Sequence, residues 1–314
     1  MNPDIRPLFE AFEQSDPIVV FHHISPDPDA LGTQFGMVEF LKEKYPKKTI
    51  LAAGSQPEMD EVSDEQIQNG MALVVDTSTR ERVDDQRYSM AKTIARIDHH
   101  LLCDDFGELD YTDEKAAAAA QTAVSLLKAH GETIPEKSAQ HLLEALISDT
   151  QKFMLQTVTP ETFEAAAWLL KMGADPAKAQ VNLYSRDRVV FAFRAKLMNK
   201  ARILDNLMFS VVSAEDYLSC GCPFEDAKSS VNTLGSVKGI EIWAQFTQNP
   251  DGAHYNGSLR SARIPLIELA GRFGGGGHTC ACGVKNLTIG QVDELIQGLR
   301  ELSVTGLNDL EESE

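Results

Sequence analysis

The chain has 314 residues, 29 of them Lys or Arg and 47 of them Asp or Glu, so its net charge is −18. Proteins that coat long duplex nucleic acid bind it largely through Lys and Arg on the phosphates, and this acidic balance excludes that class. Hydrophobic residues make up 43% of the chain, and no apolar run approaches the roughly 20 residues that span a bilayer.

The first half of the chain alternates short apolar runs with helical stretches. Residues 17–22, 49–53, 72–75 and 93–97 are rich in β-branched or other apolar side chains and predict strands, while residues 31–45 have helical spacing. Continuous apolar strands separated by helices indicate an α/β fold whose mostly parallel sheet is covered on both faces. No signal-peptide pattern opens the chain, and we therefore expect a cytoplasmic protein without a membrane segment.

The remaining elements predict a helical middle and a smaller second α/β domain. Helices are expected at residues 115–130, 138–147, 159–173, 186–204, 264–273 and 289–302, and half-exposed strands at 207–212, 240–247 and 253–260. A chain of this length more often forms two cores than one. The predicted division is a first domain at 1–185, a helical connector at 186–204, a second domain at 205–307 and a disordered acidic tail at 308–314.

Acids and histidines follow three of the predicted strands and one helix directly. They are His23, Asp27 and Asp29 after the first strand, Asp76 after the third, Asp98, His99 and His100 after the fourth, and Asp149 after the helix of residues 138–147. The carboxyl ends of parallel strands share one edge of a sheet, where ligands bind. Crowded carboxylates repel one another unless cations compensate, and carboxylate with imidazole suits manganese, with zinc or cobalt as alternatives. These acids and histidines are numerous enough to hold two metal ions, as in the two-ion sites that hydrolyse phosphate esters.

Each acid taken singly also has a plainer interpretation. Asp27 and Asp29 lie beside prolines, as ordinary turn residues do, and Asp149 suits a surface loop. Acids or histidines follow all four apolar segments, and this repeated placement favours a metal site over four unrelated turn or loop residues. His22 is expected on the opposite face from His23, because side chains alternate along a strand.

A second group of residues predicts a substrate-binding segment. Glycines at positions 274–277 precede His278, and Arg260 closes a predicted strand. Glycines expose backbone N–H groups to a ligand, and an arginine can form a bidentate contact with a phosphate. The alternative is a flexible loop with a surface arginine, since the run is neither a P-loop nor a G-x-G-x-x-G motif. Of the five cysteines, two pairs have C-x-C spacing, which favours small buried thiols over a zinc site.

These motifs, in this order, resemble the DHH phosphoesterases. Arg260 with the segment 274–278 resembles the DHHA1 domain that follows the catalytic domain in one branch of that family. The segments 26–34, 84–88 and 97–100 are similar to those of the small bacterial nano-RNases. The resemblance implies a manganese-dependent phosphodiesterase acting on short single-stranded RNA or on dinucleotides such as pApA. It also implies dephosphorylation of 3′-phosphoadenosine 5′-phosphate.

Carried over residue by residue, the resemblance implies a role for each candidate. One manganese ion would be held by His23, Asp27 and Asp76, and a second by Asp29, Asp76, His99 and Asp149, with Asp76 bridging. His100 would face the scissile phosphate, and Arg260, Gly275, Gly276, Gly277 and His278 would bind the substrate. Cobalt or magnesium could replace manganese, because oxygen and imidazole ligands accept several divalent ions.

Three rival functions fit part of the sequence. A family II-type inorganic pyrophosphatase shares the N-terminal motifs, but the glycine run before His278 argues against it. An exonuclease for longer strands is disfavoured by the net charge of −18. A non-catalytic nucleotide-binding protein is disfavoured by the complete set of metal ligands. The oligomeric state stays open, with a homodimer as one option. Two departures from the family pattern, Gln151-Lys152 and the segment 279–282, could alter the fit of the substrate.

Overall fold

The computed structural model of the protein describes the backbone of residues 4–311 and the side chains of residues 4–306. The chain divides into two compact units, of which the first ends at Ser185 and the second begins at Arg186. No helix within the described range is both long and apolar enough to cross a lipid bilayer.

The first unit alternates strands and helices in the way the sequence predicts. Its elements are α1 (Arg6–Gln14), β1 (Ile18–Phe21), α2 (Pro28–Lys44), β2 (Ile50–Ala52), α3 (Asp64–Asn69), β3 (Met71–Val75), β4 (Thr93–Asp98), β5 (Leu109–Thr112), α4 (Ala119–His130), α5 (Glu136–Asp149), α6 (Pro160–Lys171) and α7 (Pro176–Tyr184). The strands form one parallel sheet in the order β2-β1-β3-β4-β5.

The sheet of the first unit is covered on both faces, which confirms the α/β prediction. Val20 and Leu73 point into a core that contains side chains of α1, α2, α4 and α5. Their neighbours Val19 and Val74 point to the other face and pack with Tyr88 in a smaller core. Because both faces are buried, the central strands β1 and β3 are buried at every position, as their continuous apolar sequence requires.

Helix α4 begins later than the alanine-rich sequence predicts. The predicted start is residue 115, but Ala118 is extended and the helix opens at Ala119. The carboxylate of Asp29 accepts hydrogen bonds from the backbone N–H groups of Ala119, at 2.7 Å, and Ala120, at 3.2 Å. These are donors that a helix N-terminus leaves without intrahelical partners, and a carboxylate placed there also interacts favourably with the helix dipole. A long-range contact therefore sets the start of this helix.

Helices α2 and α5 approach closely through two glycines. A β-carbon at Gly32 would lie 2.7 Å from the carbonyl oxygen of His141 and 2.8 Å from the β-carbon of Ala145. One at Gly36 would lie 2.6 Å from Cγ of Leu142. The contact matters for the site described below, because α2 carries Asp29 in its first turn and α5 ends at Asp149.

The second unit is a mixed sheet with helices on both faces. Its elements are α8 (Arg188–Asn199), β6 (Arg202–Leu204), β7 (Leu207–Val212), α9 (Ala214–Leu218), α10 (Phe224–Lys228), β8 (Ile242–Gln248), β9 (Tyr255–Ser261), α11 (Ile267–Arg272), β10 (Gly276–His278), β11 (Ala281–Leu287) and α12 (Ile289–Glu311). The order is β10-β11-β9-β8-β7-β6, and β7 and β8 are parallel while the other neighbours are antiparallel.

Several expectations for the second unit are corrected. The helix expected at 186–204 is α8, and residues 202–204 form strand β6 instead. Strands β7 and β8 are mostly buried rather than half-exposed, because a core lies on each face of the sheet. The glycine run is not simply a loop, since Gly276–His278 pairs with β11. The backbone of residues 308–311, part of the expected disordered tail, belongs to α12, and 312–314 lie outside the described residues.

We expect Gly32→Ala to destabilise the first unit, although alanine is the better helix former. The added methyl group would overlap the backbone of α5, and overpacking of this kind costs about 1–3 kcal/mol. Urea unfolding followed by circular dichroism measures the loss. In the matched control Gly290→Ala, nothing lies within 4 Å of the added β-carbon, and stability should be unchanged or slightly higher. Equal stability of both variants would contradict the close helix contact.

Candidate metal centre

The predicted acids and histidines of the first unit converge at the carboxyl edge of its parallel sheet. His23 follows β1, Asp76 follows β3, and Asp98 is the last residue of β4. Asp76 adopts a left-handed backbone conformation, with φ of 49°, and its N–H donates to the carbonyl of Ile97 at 3.0 Å. Side chains from separate strands are therefore brought together by strand pairing rather than by closeness along the chain.

Asp76 lies at the centre of this group. Its Oδ2 is 3.5 Å from Nε2 of His23, and its Oδ1 is 3.4 Å from Nε2 of His99 and 3.6 Å from Nδ1 of His100. The side chain is only 2% exposed, yet Oδ1 has no hydrogen-bond partner among the described residues. Because an unsatisfied buried carboxylate oxygen is costly, this arrangement fits a bound cation.

The two histidines that face Asp76 are oriented like metal ligands. Nδ1 of His23 lies 2.9 Å from the carbonyl of Ile24, and Nδ1 of His99 lies 3.3 Å from the carbonyl of Ala116. A carbonyl oxygen only accepts, so these contacts place a proton on Nδ1, and Nε2 is the ring nitrogen that faces the acids. Metal-binding histidines are usually held in this way by their other ring nitrogen.

Asp27 and Asp29 approach the two histidines from the start of α2. Asp27 is the N-cap of that helix, and its Oδ1 accepts from the N–H groups of Asp29 and Ala30. Its Oδ2 is 4.0 Å from Nε2 of His23. Asp29 is buried, and its Oδ2 is 3.8 Å from Nε2 of His99. A helix cap therefore fixes one acid of the site, and the contact with the N-terminus of α4 fixes the other.

Asp149 completes the group from the end of α5, with its Oδ2 3.6 Å from Nε2 of His99. Each of three sets offers one ligand atom per side chain, all within 4.8 Å of one another. The sets are His23, Asp27 and Asp76; Asp29, His99 and Asp149; and Asp76, His99 and His100. The structure thus brings together all six residues that the sequence proposed as metal ligands. Carboxylate and imidazole groups in this arrangement can hold a divalent metal ion.

His100 has a different environment from the other histidines. Its Nδ1 is hydrogen-bonded to Oδ1 of Asp98 at 2.8 Å, so Nε2, on the other side of the ring, is directed away from that carboxylate. The side chain of His100 is 43% exposed. Asp98 is buried and also accepts from the N–H of His99. The family resemblance gave no role to Asp98, although this residue orients His100. His22 is buried, with Nε2 on Oε1 of Gln56 at 2.7 Å.

The protonation of the cluster reflects crowded charge. Burial, together with the charge of Asp76, raises the pKa of Asp29 well above its usual range. Burial likewise raises the pKa of Asp149. Burial alone would lower the pKa of His99, but its contact with Asp76 and the charge of Asp29 outweigh that effect and raise the pKa to about 9. The acids therefore draw in positive charge, and a divalent cation could take the place of these protons.

The residues predicted to bind substrate lie in the second unit. Arg260 on β9 is opposite Ala281 of β11, which is in turn opposite His278 of β10, so Arg260 and His278 share a row across the sheet. A β-carbon at Gly275 would lie 2.5 Å from the carbonyl of Gly283, and one at Gly277 would lie 2.4 Å from the carbonyl of Ala281. Backbone packing therefore requires both glycines.

Gly276 is under no such restriction. It is exposed, a β-carbon added to it would have no atom within 4 Å, and its φ is not in the left-handed range. The absence of a side chain there leaves the edge strand open to a ligand.

Comparison with known proteins covers both units. The N-terminal domain of the DHH family matches residues 17–148, and the DHHA1 domain matches residues 214–304. The chain is 31% identical to the probable bifunctional oligoribonuclease and PAP phosphatase NrnA of Streptococcus mutans, over 91% of this chain and 95% of that protein. The chain belongs to the DHH family. This confirms the resemblance drawn from the motifs, including the DHHA1 domain.

A second relative and a solved structure are also similar to this DHH protein. The bifunctional oligoribonuclease and PAP phosphatase NrnA of Bacillus subtilis is 30% identical, over 94% of this chain and 97% of that protein. The crystal structure of an exopolyphosphatase-related protein from Bacteroides fragilis has a TM-score of 0.77 at 21% identity, with 95% of each chain covered, which shows a shared fold. The DHH protein is a hydrolase that acts on ester bonds.

We expect Mn²⁺ to raise the thermal midpoint of the wild-type protein and to raise that of Asp76→Asn much less. A ligand that binds only the folded state stabilises it by about 2.7 kcal/mol at a concentration one hundred times its Kd. Asparagine tolerates the left-handed backbone of residue 76 but supplies no negative charge. Scanning calorimetry with and without Mn²⁺ measures the difference, and Asp64→Asn, an exposed acid of α3, is the control. An equal rise in Asp76→Asn and wild type would count against a cation at this edge.

Proposed function

We propose that this DHH protein is a manganese-dependent phosphodiesterase that hydrolyses short oligoribonucleotides and dinucleotides such as pApA to mononucleotides, working from the 5′ end. We also propose that it converts 3′-phosphoadenosine 5′-phosphate to AMP. The observation that carries the proposal is the convergence of six carboxylate and imidazole groups on the carboxyl edge of the sheet. Oligoribonucleotides and 3′-phosphoadenosine 5′-phosphate are supported as substrates by two relatives, one named as a bifunctional oligoribonuclease and PAP phosphatase and one as a probable one, each aligned over more than nine-tenths of this chain.

The two oxygens of Asp76 favour a site for two ions with this residue between them. Oδ2 faces His23 and Oδ1 faces His99, so each oxygen belongs to a different ligand group. In the proposed assignment the first ion is held by His23, Asp27 and Asp76, and the second by Asp29, Asp76, His99 and Asp149. Manganese is the proposed ion, as the family resemblance implies, and cobalt or magnesium could replace it because oxygen and imidazole ligands accept several divalent ions.

The bound ions would lower the pKa of coordinated water and neutralise charge on the phosphoryl oxygens. The protein's own contribution next to them is His100. Its hydrogen bond to Asp98 raises the pKa of the imidazole, which favours a proton on both ring nitrogens. Nε2–H is then free to donate to a phosphoryl oxygen as negative charge develops there. Asp98 acts by keeping His100 in place and in this protonation state.

The second unit would recognise the remainder of the substrate. Arg260 supplies a guanidinium for a phosphate, and His278 lies in the same row of the sheet. The open backbone at Gly276 allows a ligand to approach closely. The net charge of −18 disfavours long polyanions, so short substrates that need few phosphate contacts are the better fit.

The rival functions are less well supported. The DHHA1 match at residues 214–304 includes the glycine run before His278, and that run argues against a family II-type pyrophosphatase. A non-catalytic nucleotide-binding protein would not need six convergent carboxylate and imidazole side chains, a buried carboxylate oxygen that lacks a donor within the described part of the chain, and a histidine held by a buried acid.

Hydrolysis of a matched panel in Mn²⁺ buffer tests the proposal. The panel contains pApA, RNA from dinucleotides to chains about ten times longer, 3′-phosphoadenosine 5′-phosphate and pyrophosphate. We expect mononucleotides from the shortest RNAs and rates that fall steeply with length, since a protein of this charge has few phosphate contacts to offer. Fast cleavage of pyrophosphate with inert dinucleotides would overturn the assignment in favour of the pyrophosphatase.

We expect Arg260→Ala to raise KM for pApA about tenfold or more while Mn²⁺ binding stays unchanged. A charge-assisted hydrogen bond contributes about 1.5–3 kcal/mol, which corresponds to that range. The matched control is Arg272→Ala, which removes an exposed arginine of α11 paired with Glu268. Steady-state kinetics and calorimetric titration with Mn²⁺ separate the two effects. Equal KM values for the two variants would remove Arg260 from the substrate site.

A further inference from the structure

The segment after α5 has an unusual backbone. Gln151, Lys152 and Phe153 have φ angles of 46°, 64° and 64°, so three successive residues other than glycine are left-handed. Side chains disfavour this conformation, and it persists only where the surrounding structure enforces it. The turn starts two residues after Asp149, and backbone outliers of this kind are often found at functional sites.

Thr150 contributes several of the hydrogen bonds that hold this turn. Its Oγ1 donates to the carbonyl of Leu146 at 2.6 Å and accepts from the N–H of Phe153 at 3.1 Å. Its own carbonyl accepts from the N–H groups of Met154, at 2.9 Å, and Leu155, at 3.3 Å. The side chain is fully buried. One residue therefore ties the last turn of α5 to the whole left-handed segment.

Two side-chain contacts hold the turn from outside. The ammonium of Lys152 lies 3.7 Å from the centre of the Tyr184 ring, and the ring of Phe153 stacks on that of Phe163 with centroids 5.2 Å apart. The N–H groups of Gln151 and Lys152 also donate to the carbonyls of Ser148, at 3.0 Å, and Ile147, at 2.8 Å. These bonds, the hydrogen bonds of Thr150 and the two side-chain contacts together hold the left-handed segment. The segment is thus fixed in place in spite of its strain.

Asp149 differs from Asp27 and Asp29, the other acids of the candidate metal centre that lie at helix ends, in how it is held. Oxygens of Asp27, Asp29 and Asp98 accept hydrogen bonds from backbone N–H groups. Among the described residues, no group donates a hydrogen bond to the carboxylate of Asp149. Its distance of 3.6 Å from His99 therefore depends on where the backbone at the end of α5 places it.

We infer that Thr150 is a positioning residue for the metal centre, acting through the left-handed turn to aim Asp149 at the ion shared with Asp29 and His99. The inference rests on the proposed metal assignment and adds to it a residue that binds neither metal nor substrate. The turn would do for Asp149 what backbone hydrogen bonds do for Asp27 and Asp29. Removing such outer support of a ligand typically weakens metal binding 10- to 100-fold.

The test compares Mn²⁺ binding by calorimetric titration and by electron paramagnetic resonance of free Mn²⁺. Thr150→Val keeps the shape of the side chain but loses the hydrogen bonds of Oγ1, whereas Thr150→Ser keeps them. Ser138→Ala is the matched control, because Ser138 lies in the same helix, is equally buried and donates a similar bond to the carbonyl of Gly36. Asp149→Asn reports the effect of losing the ligand itself.

We expect Thr150→Val to bind one of two Mn²⁺ ions 10- to 100-fold more weakly, with Thr150→Ser close to wild type. Ser138→Ala should lower the thermal midpoint without changing Mn²⁺ affinity, which separates positioning from stability. Hydrolysis of pApA by Thr150→Val should recover at high Mn²⁺, because the remaining residues of the site are intact. Should Thr150→Val not fold, Thr150→Ala takes its place in the same comparison.

Two different failures can be told apart. If Asp149→Asn loses an ion but Thr150→Val binds both ions like wild type, the positioning role is wrong and the metal assignment stands. If Asp149→Asn also binds both ions with full affinity, the assignment of Asp149 is wrong, and the role of Thr150 falls with it.

Discussion

The first unit is organised around a buried carboxylate, that of Asp76, at the edge where its parallel strands end. This group is 2% exposed, lies between His23 and His99, and has one oxygen without a donor among the described residues. A negative charge in such a place is unfavourable unless positive charge is supplied. Protonated histidines can supply it in part, and a divalent cation does so more fully. The constraint explains why acids and imidazoles occur together at this edge.

The supports of the metal centre are the same contacts that build the fold. Asp27 caps α2, and Asp29 binds the N-terminus of α4. Asp149 stands at the end of α5, which packs on α2 through Gly32 and Gly36. Because these three acids lie at helix ends, a change in their positions would disturb the packing of the helices. This rigidity suits a site that must keep several like charges close together.

The second unit contributes chemistry of a different kind. Its edge strand β10 carries His278 and the open backbone of Gly276, and Arg260 lies two strands away in the same row. Backbone packing explains the glycines at 275 and 277 but not the one at 276. The DHH and DHHA1 family models match the two units of this one chain, and the proposed division of roles is hydrolysis in the first unit and substrate recognition in the second.

The sequence by itself determined the parallel sheet and the candidate ligands, because fully buried strands need continuous apolar runs and the polar residues after them mark the shared edge. It did not predict β5, α3 or α7, which are short and have weak periodicity. The start of α4, the pairing of Gly276–His278 and the role of Asp98 were decided by tertiary structure. Each of these features depends on a contact with another part of the chain or on the direction in which a side chain points. The left-handed turn after Asp149 belongs with them, since no local preference favours three such residues in a row.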